Sequence, residues 1–387
     1  MDTLRFCTAG SVDDGKSTFV GRLLHDTKSV LADQLAHVER TSAIRGFDGL
    51  DLSLLVDGLR AEREQGITID VAYRYFSTKN RNFILVDTPG HVQYTRNTVT
   101  GVSTSQVVVL LVDARHGVVE QTRKHLEVAS LLGVRTVVLA VNKIDLVDYS
   151  EEVFRTIEAD FGAVAAELGI TDPHAIPISA LHGDNVAETS TKLPWYFGPT
   201  VLELLESMPV EHGDDSLDFR FPIQYVIRAM DYRGYAGQVA TGAVAVGDTI
   251  STPHGTTTVV GIDTTDGPAT EAYAGDSITL LLADDIDLSR GDLLAGHRPP
   301  NVRSFAAHVV GLDDTAINPG QVVKLRYGTS VVKARIKDSV GLNDIVQTQV
   351  ELQQELPIDS YTARGAIGSF LLVDNATGGT LAAGLVA

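Results

Sequence analysis

The feature that most constrains the fold is the alternation of short, continuous apolar runs with longer segments of helical period in the first half of the chain. Strands buried on both faces read as continuous apolar runs, and strands that alternate with helices form parallel sheets with right-handed crossovers. We therefore predict a doubly wound, mostly parallel α/β domain up to residue 209. The clearest runs cover residues 83–86, 107–112 and 136–141, and segments such as 120–132 separate them.

A glycine-rich segment joins the first apolar run to an amphipathic stretch, and it fits the pattern G-x-x-x-x-G-K-[ST]. Such glycines let backbone amides curl around phosphates at a helix N-terminus. We predict that Lys16 reaches the β- and γ-phosphates and that the Ser17 hydroxyl binds Mg²⁺; the alternative is a glycine-rich surface turn. The predicted nucleotide-binding residues here are Gly10, Ser11, Val12, Asp13, Asp14, Gly15, Lys16, Ser17 and Thr18.

A second motif, D-T-P-G-H, follows the apolar run at residues 83–86. Asp87 therefore falls at the carboxyl end of a strand, on the edge where open α/β sheets bind ligands. A carboxylate there can hold Mg²⁺ through water, and the Gly90 amide can meet the γ-phosphate. D-T-P-G alone is also an ordinary turn signal. Because this motif follows the glycine-rich phosphate-binding segment in the chain, we assign the residues of D-T-P-G-H to the nucleotide site: Asp87, Thr88, Pro89, Gly90 and His91.

A third motif, N-K-x-D at residues 142–145, ends the next apolar run. The Asp145 carboxylate can accept from the N1–H and the exocyclic amine of guanine together, whereas adenine offers no such pair. We predict that Asn142 braces the loop and that the Lys143 stem lies over the base. An isolated N-K-x-D is a common exposed turn, but its place after the other two motifs favours a GTPase over an ATPase.

Two shorter segments complete the predicted site. A backbone amide of the segment Ser179-Ala180-Leu181 is expected to meet the guanine oxygen. Thr68, between the first two motifs, is the candidate that gives its hydroxyl to Mg²⁺ and its amide to the γ-phosphate. As an isolated threonine it could equally begin a strand, because residues 67–75 alternate in polarity.

Past residue 217 the helical period almost disappears, and short alternating segments are separated by Gly-Asp, Asp-Gly or Pro-Gly pairs. Turn signals at such intervals are typical of all-β barrels or sandwiches. A second break falls at the consecutive prolines 299 and 300, which cannot continue a strand ladder. The predicted domains are 1–209, which binds GTP, and two β modules, 210–299 and 300–387.

The formal charge of −19 argues against a protein that coats DNA or RNA, because binding a polyanion requires clustered Lys and Arg. The single cysteine, Cys7, cannot form an intrachain disulfide. The chain enters its first strand-like run without a leader pattern, and no apolar stretch reaches the roughly 18 residues of a membrane span. We expect a cytoplasmic protein with no membrane or stable nucleic-acid partner.

Assembled, these motifs resemble the translational-type GTPases, in which a G domain precedes two β-barrels, as in elongation factor Tu. Several longer stretches are similar, more specifically, to the GTPase subunit (subunit 1) of sulfate adenylyltransferase. Elongation factors usually carry His or Ser where Asp14 stands and Arg where Gln65 stands. The stretches that carry the resemblance are residues 10–18, 57–76, 93–97 and 181–186.

This resemblance implies binding and hydrolysis of GTP with Mg²⁺, held by Ser17, Thr68 and Asp87. It implies catalytic roles for Lys16, Thr68 and His91, the last orienting the attacking water. It also implies a partner, the catalytic subunit 2, in a heterodimer or higher assembly. That subunit joins sulfate to the AMP moiety of ATP, giving adenosine 5′-phosphosulfate and pyrophosphate.

Two other functions stay open at this point. The chain could be an elongation-factor-like GTPase that delivers aminoacyl-tRNA, although its acidic balance supplies no net basic face. It could also be a GTP-dependent scaffold without useful turnover.

Overall fold

The computed structural model describes residues 2–44, 46–47, 49–56, 71–88, 95–209, 217–361 and 367–387. The chain divides into two compact units, residues 1–210 and 211–387. Among the described residues, no helix is both long enough and apolar enough to cross a membrane.

The first unit is built on a six-stranded sheet of order β2-β3-β1-β4-β5-β6. All neighbours in it run parallel except the β2–β3 pair, which is antiparallel. The three apolar runs of the sequence are central strands, and each extends one residue or so beyond its run. The strands are β1 Thr3–Gly10, β2 Ala72–Ser77, β3 Asn82–Asp87, β4 Val107–Asp113, β5 Thr136–Asn142 and β6 Asp172–Pro177.

Helices cover both faces of this sheet, which is why its strands are apolar throughout. In β4, Val107, Val109 and Leu111 pack in the core on one face, and the residues between them pack in the core on the other. The helices are α1 Lys16–Asp26, α2 Ala32–Ile44, α3 Thr95–Ser103, α4 Glu120–Leu131, α5 Glu151–Glu167 and α6 Val201–Ser207, with 3-10 helices at Leu52–Leu55 and Ile144–Val147.

The strand order reverses at β1, because β3 lies on one side of it and β4 on the other. In open α/β sheets, ligands bind at such a switch point, beyond the carboxyl ends of the strands. The carboxyl ends here carry Gly10, Asp87, Asp113 and Asn142. The topology therefore gathers the predicted motifs at one edge.

The second unit is entirely β in its described part and holds two strand systems. In the first, the strand order is β10-β15-β7-β8-β14-β11-β12, and β10 also pairs with β11, so six strands return on themselves as a ring. Two further strands from the same stretch of sequence, β9 and β13, pair with each other. The strands are β7 Arg220–Ala229, β8 Tyr232–Gln238, β9 Ala243–Ala245, β10 Thr249–Thr252, β11 Gly255–Thr264, β12 Gly267–Ala269, β13 Glu271–Tyr273, β14 Ser277–Leu282 and β15 Leu293–Ala295.

The other strand system is a closed barrel of order β16-β19-β18-β17-β20-β21. A partly buried ion pair joins it to the ring: the Arg220 guanidinium of β7 binds Asp359, which follows β19, at 2.8 and 3.1 Å. The strands are β16 Asn301–Gly311, β17 Val323–Tyr327, β18 Ser330–Ile336, β19 Ile345–Pro357, β20 Ser369–Val373 and β21 Thr380–Val386.

The predicted fold class is confirmed: a doubly wound, mostly parallel α/β domain precedes β-rich structure that includes a closed barrel. The three domain ranges stay predictions. The alternating residues 67–75, which left a strand open as the alternative for Thr68, contain the first residues of β2, which begins at Ala72; residues 67–70 lie outside the described part of the chain.

Gly21, in the middle of α1, lets this helix approach the 3-10 helix at Leu52–Leu55, and a Cβ at this position would overlap the carbonyl group of Leu52. We expect Gly21→Ala to lower the free energy of unfolding by about 1–3 kcal/mol, because backbone cannot yield as a flexible side chain does. Urea unfolding followed by the fluorescence of Trp195, the chain's one tryptophan, measures this within the first unit.

The matched control is Gly162→Ala in α5, where a Cβ would meet nothing within 4 Å. It should raise the free energy of unfolding by about 0.5–1 kcal/mol through helix propensity alone. If both substitutions raised the free energy of unfolding, the close contact between Gly21 and the Leu52 carbonyl would be contradicted.

Candidate nucleotide-binding site

The phosphate loop, residues 10–17, turns sharply between β1 and α1. Asp13 and Gly15 have positive φ angles of 66° and 89°, and α1 begins at Lys16. A Cβ on Gly15 would overlap the side-chain amide of Asn142, so no other residue fits there without displacing it. The first amides of α1 therefore point to the sheet edge, where a helix N-terminus favours an anion.

Lys16 is almost completely buried, and its Nζ donates to the carbonyl oxygens of Gly10 and Ser11 at 2.8 and 2.7 Å. Burial lowers the pKa of Lys16, and nearby carboxylates oppose that shift. An ammonium group held by carbonyls of its own loop is placed to exchange these contacts for phosphate oxygens. The opposing carboxylates are those of Asp87, Asp14 and Asp13.

Asp87 and Thr88 are fully buried at the end of β3 and are fixed to β1. The Thr8 hydroxyl donates to Asp87 Oδ1 at 2.8 Å, and the Thr88 hydroxyl donates to the Thr8 carbonyl at 2.6 Å. These bonds hold the Asp87 carboxylate against β1, the strand that leads into the phosphate loop, and its charge opposes the lowering of the Lys16 pKa.

Asp14 braces the phosphate loop from inside. Its Oδ2 accepts from the Ser11 amide at 2.7 Å. Burial raises the pKa of Asp14 despite that hydrogen bond and the charge of Lys16.

Asn142 joins the phosphate loop to the segment 179–181. Its Nδ2 donates to the Asp14 carbonyl at 2.8 Å, and its Oδ1 accepts from the Ala180 amide at 2.9 Å. Asn142 and Asp14 are both buried, so these bonds are shielded from water. One side-chain amide thus holds two loops from different strands in a fixed relation.

Lys143 also reaches the phosphate loop. Its Nζ donates to the Asp13 carbonyl at 2.5 Å and pairs with Asp113 Oδ2 at 2.9 Å. Asp113 is buried at the end of β4, and burial alone would raise its pKa, but the hydrogen bonds from Arg115 and Lys143 together hold the pKa well below its usual range. Asp113 therefore stays ionised and keeps Lys143 in place.

Asp145 lies in the 3-10 helix Ile144–Val147, with 13% of its side chain exposed. His182 Nε2 lies 3.9 Å from Asp145 Oδ2. The buried Ser179 hydroxyl accepts from the His182 amide at 3.3 Å, and Leu181 is exposed. Asp145 and the segment 179–181 consequently border the same part of the surface.

The structure thus brings the described residues of all the predicted motifs to one sheet edge. Ser17 and Thr18 lie there in the first turn of α1, and Val12 is exposed in the loop. Contact of any of these residues with a nucleotide or Mg²⁺ stays a prediction. Four predicted residues lie outside the described part of the chain: Thr68, Pro89, Gly90 and His91.

Sequence reasoning missed three residues of this site. Asp113 carried a usable signal, because it ends an apolar run as Asp87 does. Arg22 and His125 carried none, because each is one polar residue in a helix. Arg22 Nε and Nη2 donate to the carbonyls of Ala180 and Leu181 at 3.1 and 2.5 Å.

His125 lies behind the phosphate loop, on α4. It is 5% exposed, forms a hydrogen bond with the Gly10 backbone, and lies near Gln121 Nε2 at 3.4 Å. Burial, aided by the charge of Lys16, lowers the pKa of His125 to about 3 against the effect of the Gly10 bond. The ring is therefore neutral at physiological pH.

Comparison with known proteins agrees with this geometry. The family model of the elongation factor Tu GTP binding domain matches residues 1–211. The bifunctional enzyme CysN/CysC of Mycobacterium tuberculosis is 49% identical over 410 residues, which cover 99% of this chain and 67% of that protein. Sulfate adenylyltransferase subunit 1 of Cellvibrio japonicus is 47% identical over 409 residues, which cover 100% and 86%.

This chain belongs to the sulfate adenylyltransferase subunit 1 family. Its first unit is a GTPase domain of the elongation factor Tu type, so members of the family bind GTP there. The resemblance found in the sequence motifs is confirmed at the level of the whole chain.

Solved structures share the fold. The GTPase-like domain of S. cerevisiae Ski7, bound to GDP and inorganic phosphate, aligns with a TM-score of 0.58 at 18% identity, covering 100% of this chain and 97% of that one. The same domain bound to GTP aligns with a TM-score of 0.56 at 19% identity. At such identities the likeness describes the fold alone.

The neutral His125 predicts a pH dependence of stability. Because its folded pKa of about 3 lies below the unfolded value of 6.5, the unfolded chain binds the proton first. Its contribution to stability is complete above pH 6.5 and is lost progressively as the pH falls from 6.5 toward 3. Between pH 7 and 5 this loss is about 2 kcal/mol.

His125→Gln should remove that part of the pH dependence, measured by urea unfolding followed at Trp195. The exposed His116, changed to Gln, is the control for the loss of a histidine at the surface. Equal slopes for wild type and His125→Gln would contradict the buried, neutral ring.

Proposed function

We propose that this chain is the GTP-hydrolysing subunit of a sulfate adenylyltransferase. GTP hydrolysis on this chain is coupled to the reaction of ATP with sulfate on a separate catalytic subunit, which forms adenosine 5′-phosphosulfate and pyrophosphate. The observation that carries the GTPase part is the pair of hydrogen bonds from the Asn142 side chain. They hold the phosphate loop and the segment 179–181, which is proposed to recognise the base, at a fixed distance from each other. The names of the relatives support the sulfate part.

The chemistry gives a reason for two nucleotides. Adenosine 5′-phosphosulfate is a mixed anhydride of high energy, so its formation from ATP and sulfate is uphill. Coupling to GTP hydrolysis supplies the missing free energy. Residues 1–209 are proposed as the GTP-binding domain, and residues 210–299 and 300–387 as two β-barrel domains.

The residues at the sheet edge fit GTP with Mg²⁺. Ser17 and Asp87 offer oxygen ligands, the kind that Mg²⁺ prefers, and Mg²⁺ usually takes its remaining ligands from phosphates and water. The described residues include no group of three or more His, Cys, Asp or Glu that could hold a metal. When bound, Mg²⁺ neutralises charge on the β- and γ-phosphates.

Each residue has a proposed task. Lys16 holds the β- and γ-phosphates, and Asp145 reads the guanine edge, while the peptide amides of 179–181 meet the guanine oxygen. Thr68 gives a further oxygen to Mg²⁺, and His91 orients the attacking water; both lie outside the described residues. In hydrolysis the water attacks only the γ-phosphate. The other residues of the site therefore bind the nucleotide and orient it.

The partner is proposed to be catalytic subunit 2, in a heterodimer or higher assembly. We place the complex in the cytoplasm, where ATP and GTP are supplied. Delivery of aminoacyl-tRNA is the less favoured function, because a net charge of −19 gives no general attraction to RNA and relatives at 47–49% identity carry sulfate adenylyltransferase or CysN/CysC names.

Coupling is tested by mixing this chain with a sulfate adenylyltransferase catalytic subunit, ATP, sulfate and GTP. We expect release of phosphate from GTP and of pyrophosphate from ATP to depend on each other, and both to fall when either subunit or GTP is left out. GTP turnover that ignores the partner, combined with tight binding of charged tRNA, would support the translational function instead.

Base recognition is tested by Asp145→Asn. The change replaces an acceptor with a group that also donates, so we expect preference to move from GTP toward XTP, whose C2 carries an oxygen. Competition of GTP and XTP for the site measures the preference. The same preference in wild type and variant would show that Asp145 does not face the base.

A further inference from the structure

The three peptide amides of the segment 179–181 differ in what they bind. The Ser179 amide donates to the Asp184 carbonyl at 3.1 Å, and the Ala180 amide donates to Asn142 Oδ1 at 2.9 Å. For the Leu181 amide, the described part of the chain shows no acceptor. The donor that remains for a base is therefore the amide of Leu181.

Arg22 holds the carbonyls on either side of that amide. From α1 its Nε donates to the Ala180 carbonyl at 3.1 Å and its Nη2 to the Leu181 carbonyl at 2.5 Å. Asp26, one helical turn on, lies 3.6 Å from Arg22 Nη1 and steadies the guanidinium. The arginine side chain is 18% exposed; its bond to the Ala180 carbonyl is partly buried, and its bond to the Leu181 carbonyl is exposed.

Because the peptide group is planar, the hydrogen bonds from Arg22 also fix the direction of the Leu181 N–H. In a trans peptide the carbonyl of one residue and the N–H of the next point in opposite directions. The carbonyl of Ala180 and the N–H of Leu181 belong to one such unit. By fixing the Ala180 carbonyl toward α1, Arg22 fixes the Leu181 N–H on the side away from α1.

We infer that Arg22 is a positioning residue for guanine recognition, which orients the Leu181 amide toward O6 of the base. This inference rests on the proposed function, because it assumes that guanine occupies the surface between Asp145 and Leu181. Asp145 reads the N1–H and 2-amino edge, whereas the amide aimed by Arg22 reads the 6-oxo group. Asp145 and the Leu181 amide therefore recognise different edges of the same base.

The geometry favours arginine over any other cation at this position. A planar guanidinium presents several N–H donors in a fixed fork, while the ammonium of lysine is a single point on a flexible stem. Asn142 holds the same segment through the Ala180 amide. Two side chains thus fix the segment, and the Leu181 amide is the group left to bind.

The test compares nucleotides that differ at one edge of the base. GDP carries both the 6-oxo and the 2-amino group, IDP keeps the 6-oxo group and lacks the amine, and 2-aminopurine riboside diphosphate keeps the amine and lacks both the oxygen and the N1–H. The loss of the N1–H is the same for wild type and variant, so it cancels in the comparison between them. Each is titrated against a ribose-labelled fluorescent GDP on the full chain. The variants are Arg22→Met and Arg22→Lys, with Arg123→Met as the control, since Arg123 pairs only with the exposed Glu167 at 2.8 Å among the residues described.

For Arg22→Met we expect GDP and IDP to bind about tenfold more weakly and the 2-aminopurine nucleotide to bind as it does to wild type, because one directed hydrogen bond is lost. Arg22→Lys should fall between the two, and Arg123→Met should match wild type. Each comparison is a ratio on one sample, so a partly unfolded variant does not mimic the effect, and thermal unfolding reports the folded fraction separately.

Equal weakening of all three nucleotides by Arg22→Met would overturn the inference, since Arg22 would then support the phosphate helix alone. A loss confined to GDP would also overturn it, because the contact would be with the 2-amino group. If the wild-type chain prefers guanine nucleotides and both Arg22 variants keep that preference, the role of Arg22 is refuted and the proposed function stands. A wild-type chain without guanine preference refutes the proposed function itself.

Discussion

The site depends on one side chain, Asn142, whose amide group is used at both ends. It donates to the loop that ends β1 and accepts from the segment that follows β6. Both bonds are buried, where a hydrogen bond competes little with water and an unpaired partner is costly. The proposed nucleotide site needs its phosphate loop and the segment 179–181 at a fixed separation, and this bridge holds the two together.

Burial also decides the charges around the phosphate loop. Lys16 is desolvated, yet it stays close to carboxylates and carbonyls that favour its charged form. Behind it, the neutral ring of His125 fills space against Gly10 without adding a second positive charge. Lys16 and Lys143 therefore bring positive charge to a loop that is otherwise surrounded by carboxylates, and we propose that this charge attracts the triphosphate.

Much of this was predictable from the sequence, and the reasons are local. Runs such as Val107 to Val112 are apolar at every position because the sheet is covered on both faces, and the three nucleotide motifs stand at strand ends because chain direction is shared in a parallel sheet. Contacts between distant helices and loops left no such trace. Arg22 and His125 act through residues 158 and about 115 positions away in the chain, and no periodicity encodes those partners.

The two-faced burial of the central strands has a consequence for how the sheet finds its alignment. A strand that is apolar at every position can slide by one residue without exposing a polar side chain to the core, so its pattern does not specify the register. The polar residues at the carboxyl edge do: Asp113 aligns with Asn142, and Thr8 aligns with Asp87. A slip of one residue would separate these polar partners from each other. The polar residues at this sheet edge thus also specify the register of the central strands.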